Sequence, residues 1–385
     1  MLILEKPYVS ETLIRTAVEK NYPVLRNAMS EQLAAAGHAL TLYDDGAFAS
    51  AYQQRHKLYC MSENGLGWIS QHIDDPTLLE KINLLKNKAA FRRICRTLYP
   101  DYFFEEVAIS ELEKVDAATL PYPVVLKPSV GFLSVGVYMV ENREDWKKAV
   151  ADIRLKFAEA SAQFPSFVVG TSHFLIEKMI RGEEYAVDAY FDEEGSPAIL
   201  NIYHHRFASA SDTSDRLYCS SKALFDQYGQ PFTDFLKATN QVIGLRNFPM
   251  HIEFRIENGI ALPIEINPLR FAGFCLNELQ THISGMHPVV AYFENKRIGK
   301  EEMWKGHETD TFSFLVLEKP AGCPADARFN KEKFKADFSD VLEIREVKNA
   351  NVGVAATAFT RTDTAHLDEL DRLLHLDMRE YMKNK

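Results

Sequence analysis

Residues 248–273, FPMHIEFRIENGIALPIEINPLRFAG, decide the fold of this chain. Polar and apolar residues alternate strictly over 251–257, with the period of two that is typical of a half-buried strand. Asn258-Gly259 then predicts a tight hairpin turn. Residues 260–267 form the returning strand, so the whole stretch predicts an antiparallel hairpin that carries several acidic side chains.

The register of this hairpin decides where its acids lie. A strict two-residue loop puts Glu253 and Glu265 on opposite faces, whereas a three-residue loop with a glycine bulge pairs them directly and sets Asn267 opposite His251. Like charges that face each other destabilise a sheet. A divalent cation between them reverses this effect, and oxygen-only ligands favour magnesium or manganese over zinc. An edge hairpin with solvated acids is the alternative, and spacing alone leaves both interpretations open.

A second pattern, PYPVVLKPSVGFLSVGVYMV, occupies residues 121–140. A short apolar strand ends in Lys127, and a loop with Gly131, Ser134 and Gly136 follows. Such a loop can bind phosphates through its main-chain N–H groups while the lysine supplies positive charge. An ordinary hairpin with a lysine and two glycines accounts for the same residues.

These patterns together resemble the ATP-grasp superfamily, over roughly residues 85–275. The family's signature is an acid on one strand, followed by E-x-N and an arginine on the next. The resemblance implies that Glu253, Glu265 and Asn267 are ligands of two magnesium ions, with manganese as a substitute, and that Glu265 bridges the two ions. It also implies that Arg270 is the catalytic arginine.

The same resemblance implies an ATP site built from several segments. The pattern KP-x-x-G-x-x-S-x-G-V makes Lys127 both a phosphate ligand and a catalytic residue. Asn87-Lys88 followed by Phe91-Arg92 is similar to the segment whose lysine reaches the phosphates, although a solvated helical face is the default for a basic run. The residues implied to bind ATP are Lys88, Lys127, Ser134, Glu177, Lys178, Ile180 and Glu184.

In this interpretation the strand that contains Glu177 is the hinge against which adenine lies. Glu177 accepts a hydrogen bond from the adenine amine through its side chain or the neighbouring main chain, and the main chain of Lys178 and Ile180 contacts the ring edge. Glu184, in the matching G-x-E position, holds the ribose hydroxyls. Without the resemblance, these residues read as an acidic surface hairpin.

Four arginines are candidates for substrate binding, because a guanidinium binds carboxylate or phosphate oxygens bidentately. We expect Arg206, Arg216, Arg255 and Arg270 to cluster near the magnesium hairpin. The polar segment 207–221 is either disordered or covers the substrate.

Composition narrows the class of protein. The chain has 385 residues, enough for two or three domains, and no apolar run approaches the ~20 residues of a membrane span. Its five cysteines are scattered without C-x-x-C spacing, which indicates reduced thiols in a cytoplasmic protein and argues against a zinc site. A net charge of −10 disfavours nonspecific nucleic-acid binding.

We therefore expect a mixed α/β chain with the ATP-grasp fold. Residues 1–85 form an N-terminal Rossmann-like α/β domain, 86–298 the ATP-grasp domain with a lid at about 110–175, and 299–385 a small C-terminal α/β appendage. The expected partners are a small-molecule carboxylate and an amine, with neither nucleic acid nor membrane, and a homodimer is the assembly that the family suggests.

The resemblance implies an ADP-forming ligase. ATP activates a carboxylate as an acyl phosphate, and an amine or a thiol then displaces phosphate to form a C–N or a C–S bond. Two alternatives stay open: a kinase that phosphorylates a hydroxyl group of a small molecule, and an ATP-binding protein without turnover.

Overall fold

Four β-sheets organise the part of the chain that the structure describes. The computed structural model describes residues 1–129, 136–163, 173–209, 212, 214–324, 327–347 and 353–383, with the main chain alone over 157–163. Parallel and antiparallel pairing both occur, which makes this a mixed α/β fold and confirms the expected class.

The first sheet is parallel, with the strand order β3-β2-β1-β4 that is typical of Rossmann-like domains. Its strands are β1 (Leu2–Ile3), β2 (Pro23–Leu25), β3 (Thr41–Tyr43) and β4 (Tyr59–Cys60). Its helices are α1 (Glu11–Glu19), α2 (Ala28–Ala35), α3 (Asp45–Arg55) and α4 (Gly65–His72). Polar caps begin the first three helices, since Ser10, Asn27 and Asp44 each accept a hydrogen bond from a main-chain N–H of the first turn.

Two helices, α5 (Pro76–Lys86) and α6 (Lys88–Cys95), connect this sheet to the next. Asp75 caps α5, which has proline at its first position. Asn87 both ends α5 and caps α6, because its side chain accepts from a main-chain N–H in the first turn of α6. Lys88 is therefore fixed as the first residue of a helix.

The second sheet is antiparallel, with the order β5-β8-β6-β7. Its strands are β5 (Phe104–Ala108), β6 (Val124–Pro128), β7 (Tyr138–Val140) and β8 (His173–Lys178). Helix α7 (Arg143–Gln163) connects β7 to β8. This sheet, α7 and the 3₁₀ turn Ile109–Lys114 share a hydrophobic core of their own that includes Leu112, Trp146 and Ile176. This second sheet overlaps the segment 110–175 that we expect to form a lid, and we call it the lid sheet.

The third sheet is antiparallel and has eight strands, in the order β13-β12-β9-β10-β11-β14-β17-β16. These strands are β9 (Glu183–Phe191), β10 (Pro197–Arg206), β11 (Leu217–Ser221), β12 (Phe248–Glu257), β13 (Ile260–Pro268), β14 (Thr311–Glu318), β16 (Val341–Glu346) and β17 (Val354–Thr362). Helix α8 (Lys222–Ile243) packs on one face, where the rings of Phe232 and Phe235 lie 4.6 and 5.0 Å from that of Phe254. Burying one such ring contributes roughly 1.5–3 kcal/mol.

The remaining elements are short. They are the helices α9 (Leu279–Ser284), α10 (Pro288–Phe293), α11 (Lys300–Met303), α12 (Lys331–Asp337) and α13 (Asp368–Leu374), the 3₁₀ turns Leu276–Glu278 and Met378–Tyr381, and the paired strands β15 (Arg328–Phe329) and β18 (Met382–Lys383). The search for helices that could cross a bilayer, made over the described residues, finds none of sufficient length and apolarity.

Candidate active site

The hairpin of β12 and β13 brings the predicted metal ligands together. Glu253 lies opposite Glu265, and His251 lies opposite Asn267, which confirms the register that would place the two acids face to face. All of these side chains share one face of the eight-stranded sheet, because residues paired in register point the same way.

The cause of this register differs from the one that we expected. The turn is a strict two-residue loop, in which Asn258 and Gly259 have φ of 52° and 79°. Of the two loops that the sequence allows, the two-residue loop forms, and the three-residue loop with a glycine bulge does not. A bulge in β13 restores the same pairing of the acids. Phe254 pairs with Pro263 and Glu253 pairs with Glu265, so Ile264 is the extra residue.

The two facing carboxyl groups have pKa values shifted in opposite directions. Burial and the neighbouring Glu265 carboxylate raise the pKa of Glu253 well above its usual value. Burial would also raise the pKa of Glu265, but the ammonium of Lys88, 2.8 Å away, outweighs it and lowers the pKa to about 2. A divalent cation between the two groups would favour the ionised form of both.

The donor set fits magnesium better than a softer metal. Asn267 is buried, and its side-chain amide lies 3.3 Å from Oε1 of Glu265. Within the described ranges, no group of three or more His, Cys, Asp or Glu side chains is arranged to hold a metal ion. The candidate set is thus two carboxylates and an amide, the oxygen chemistry that suits magnesium or manganese.

Arg270 approaches the hairpin from the segment that follows β13. Leu269 adopts a left-handed φ of 59°, which turns the chain immediately before Arg270. One guanidinium nitrogen of Arg270 lies 3.5 Å from Glu63, in the turn after β4, and Glu63 in turn contacts Lys86 at 2.5 Å. The positive charge of Arg270 also opposes the rise in the pKa of Glu253, so the arginine is close enough to act on the same site.

Lys127 lies at the end of β6 and is buried beside Glu177 in β8. One carboxylate oxygen of Glu177 pairs with the ammonium of Lys127, and the other accepts from Nε of Arg92 in α6 at 2.6 Å. Burial would raise the pKa of Glu177, but Arg92 and Lys127 together lower it to about 2. Both oxygens of Glu177 are thus engaged by cations, and an adenine contact here would fall to the main chain.

The main chain of the expected hinge is partly engaged as well. The N–H of Lys178 donates to the carbonyl of Phe103 at 3.0 Å, and its carbonyl accepts from the hydroxyl of Tyr102 at 2.8 Å. Ile180 follows two residues later and is buried. Ser134 and Gly131 of the expected phosphate loop lie outside the described residues.

Glu184 lies in a row of paired polar residues that crosses four strands. Arg255, Glu184, His205 and Tyr218 are opposite one another in β12, β9, β10 and β11. The carboxylate of Glu184 accepts from Nε and Nη2 of Arg255 at 3.2 and 3.1 Å and lies 2.9 Å from Nδ1 of His205. Burial would raise the pKa of Glu184, but these two partners lower it. The group is a fixed hydrogen-bond acceptor next to the hairpin of β12 and β13, which we call the metal hairpin because it holds the candidate ligands Glu253, Glu265 and Asn267.

The sequence of the central region now identifies the family. A family model described as an ATP-grasp domain matches residues 120–278. Residues 120–278 therefore contain an ATP-grasp domain. No curated protein sequence matches the chain.

Solved structures with the ATP-grasp fold cover nearly the whole chain. The L-amino acid ligase from Bacillus licheniformis has a TM-score of 0.70 at 15% identity, with 99% of this chain and 97% of that chain covered. The N5-carboxyaminoimidazole ribonucleotide synthetase from Thermotoga maritima has a TM-score of 0.63 at 12% identity, covering 99% and 98%. The phosphoribosylglycinamide synthetase from Anaerococcus prevotii has a TM-score of 0.61 at 14% identity, covering 99% and 98%. At these identities the likeness is one of fold.

Two of the four candidate substrate arginines lie elsewhere in this ATP-grasp fold. Arg206 follows His205 and therefore points to the opposite face of β10, where it interacts with the thiol of Cys219. Arg216 donates to the carbonyl of Leu376 at 2.8 Å. Of this set, Arg270 lies near the acids of the hairpin, and Arg255 pairs with Glu184 of the neighbouring strand.

Several polar residues of the site were missed by the sequence analysis. Arg92, one residue after an apolar position of α6, is buried against Glu177, and Asp188 and His251 form a buried pair behind the hairpin. Two signals could have found the pair. Asp188 is a lone acid in the apolar run YAVDAYF, and His251 stands two residues before Glu253, on the same face of the strand.

Proposed function

We propose that this protein is an ATP-dependent ligase that activates a carboxylate as an acyl phosphate for attack by an amine, or by a thiol, with release of ADP and phosphate. The observation that carries the proposal is the pair of facing carboxyl groups, Glu253 and Glu265, with Asn267 beside them. A scaffold has no need of two opposed, half-buried acids, which destabilise a sheet unless a cation joins them.

Glu253, Glu265 and Asn267 would hold the divalent ions. When bound, such ions neutralise the charge of the triphosphate and of the departing ADP. Lys88 is 2.8 Å from Glu265, and Lys127 is buried with Glu177 in the lid sheet, so both ammonium groups bring positive charge close to Glu265. Arg270 would bind the substrate carboxylate and steady the negative charge that develops on the transferred phosphoryl group.

Neither the phosphorylation of the carboxylate nor the attack of the amine requires a covalent bond to the protein. A carboxylate oxygen attacks the γ-phosphorus, and the bond from that phosphorus to the bridging oxygen of ADP breaks. The amine then attacks the acyl carbon, the bond to the phosphate oxygen breaks, and the nitrogen loses a proton. Positioning and charge neutralisation would supply the catalysis.

The first test measures ADP release with magnesium and ATP across a panel of amino acids and other small carboxylates, singly and in pairs. Stimulation that requires one particular pair supports a ligase and identifies its substrates. A stable phosphorylated product without an amine requirement would instead indicate a kinase, and ATP binding without ADP release would indicate a non-catalytic protein.

The site assignment has its own test in Glu265→Ala. We expect at least about a 100-fold loss of ADP release, because a metal-bridging acid is worth several kcal/mol of barrier. The matched control is Glu318→Ala, which removes an exposed glutamate from β14 of the same sheet and should leave the rate unchanged. Activity within about tenfold of wild type in Glu265→Ala would reject the assignment.

A further inference from the structure

Asp188 is a fully buried carboxylate in the middle of β9, with 0% of its surface exposed. Oδ1 accepts from the ring Nδ1 of His251 at 2.9 Å and from the main-chain N–H of Ala272 at 2.8 Å. Oδ2 accepts from the hydroxyl of Tyr203 at 2.8 Å. These three donors compensate a group that burial alone would strongly disfavour.

His251 connects this carboxylate to the metal hairpin. It lies opposite Asp188 on one side and opposite Asn267 on the other, and only 6% of its surface is exposed. Because Nδ1 carries the proton that is donated to Asp188, the ring orientation is fixed and Nε2 lies 3.9 Å from Oε1 of Glu253. That separation is too long for a hydrogen bond. The bond from Nδ1 to Asp188 nevertheless determines that Nε2 is the ring atom that faces the Glu253 carboxyl group.

Ala272 connects the same carboxylate to Arg270, two residues earlier. The segment that carries both is conformationally strained, since Leu269, Phe274 and Cys275 have φ of 59°, 49° and 69°. Such a backbone persists only where its surroundings fix it. Oδ1 of Asp188 is one of those fixed points.

We propose that Asp188 and His251 are positioning residues, which hold the metal ligand Glu253 and the arginine Arg270 in one arrangement. A single oxygen atom anchors both the ring that faces Glu253 and the main chain that carries Arg270. The inference rests on the proposed function, because it assigns a purpose to the arrangement only if Glu253 binds a metal ion.

The decisive variant is His251→Asn. The asparagine amide can take over the donor role of Nδ1 toward Asp188, but it leaves nothing in the place of Nε2. Tyr203→Phe is the matched control, because it removes the donor to Oδ2 and leaves the bonds from His251 and Ala272 in place. For each protein we would titrate Mn²⁺ in the presence of ADP, follow the free ion by electron paramagnetic resonance, and record the Tm without metal.

We expect His251→Asn to weaken Mn²⁺ binding about 10- to 100-fold at an unchanged Tm, and Tyr203→Phe to stay within about threefold of wild type. An unchanged Mn²⁺ affinity in His251→Asn overturns the inference, and so does an equal loss in Tyr203→Phe, which would indicate general loosening of the core. If wild type itself binds no Mn²⁺ with ADP, the proposed function fails and the inference with it. Should His251→Asn not fold, Asp188→Asn replaces it with the same expectation, since it removes the charge that orients the ring.

Discussion

At the scale of single residues, one carboxylate joins the lid sheet to helix α6. Glu177 in β8 holds Lys127 of the same sheet and Arg92 of the helix, and only 3% of its own surface is exposed. Its pKa of about 2 means that the carboxylate contributes stability above its unfolded pKa of about 4.3 and loses it as the pH falls toward 2. The pH dependence of unfolding should therefore report on this cluster.

We expect the free energy of unfolding of Glu177→Gln to lie on the order of 3 kcal/mol below that of wild type near neutral pH. The difference should shrink between about pH 4.5 and about pH 2, because a protonated Glu177 and a glutamine carry the same charge. Urea titrations at several pH values measure it. Glu105→Gln, an exposed position in β5, is the control and should differ from wild type by less than about 0.5 kcal/mol throughout. A Glu177→Gln difference that does not change with pH would contradict the expected ionisation.

The residue scale also shows what the sequence could and could not predict. Lys127 and Glu265 are recognisable because each ends or interrupts a short apolar strand, which is a local signal. The partners of Glu177 are not, because Lys127 and Arg92 reach it from positions 50 and 85 residues away in the chain. A contact of that range depends on how the lid sheet packs against α6, and no spacing rule encodes it.

At the scale of elements, the β12–β13 hairpin shows a correct register that arises from a different cause. The turn residues predict a two-residue loop, and the loop is indeed of that length. Pro263 is a local signal for the bulge at Ile264, because proline cannot donate to the ladder and occurs at sheet edges and bulges, but it does not fix which pairs the bulge separates. The carbonyls of both residues accept from the guanidinium of Arg92, so the bulge is stabilised by a tertiary contact.

The approach between β9 and β12 gives a prediction for Gly182. This residue has φ of 111°, and a Cβ placed on it would lie 2.1 Å from the carbonyl oxygen of Ile256. Gly182→Ala must therefore displace the start of β9 and with it Glu184. We expect a loss of at least about 2 kcal/mol in stability and at least about tenfold in ATP affinity, measured by thermal unfolding and calorimetry.

Gly229→Ala is the matched control for that variant. Gly229 lies inside α8, and a Cβ there would meet nothing within 4 Å. Alanine in a helix interior is preferred over glycine by roughly 0.5–1 kcal/mol, so this variant should be slightly more stable than wild type with unchanged ATP affinity. If Gly182→Ala behaved like Gly229→Ala, the close approach of β9 and β12 would not be a feature of the protein in solution.

At the scale of the whole molecule, the eight-stranded sheet continues from the metal hairpin into the C-terminal region. β14, β17 and β16 extend the same sheet beyond β11, so residues after 299 share a layer with the candidate site. The sequence predicts a small α/β appendage in this region, but the order of its strands depends on long-range pairing. The position of residues 299–385 as a separate domain stays a prediction.

A buried cluster of ion pairs connects the eight-stranded sheet to helix α1 and its cap. Arg345 of β16 donates to Glu278 at 2.6 Å and to Glu343, and it also lies 3.3 Å from the hydroxyl of Thr12 in α1. Glu278 accepts a further hydrogen bond from Ser10, the cap of α1. Only 1% of the Glu278 side chain is exposed, so its charge depends on these partners.

We expect Arg345→Met to lower the free energy of unfolding by about 3–5 kcal/mol, because it removes the guanidinium from the buried Glu278 carboxylate and leaves the His287 ring, 3.5 Å away, and Ser10 as its partners. The double variant Arg345→Met with Glu278→Gln should recover part of that loss, since the unpaired charge is then gone. Arg361→Met is the control: its guanidinium pairs with Asp340 at 2.7 Å but is 40% exposed, so the loss should stay below about 1 kcal/mol. Urea unfolding of the four proteins separates the cases. If Arg345→Met were as stable as Arg361→Met, the ion cluster would not join the two ends of the molecule. The relative position of α1 and β16 would then have another cause.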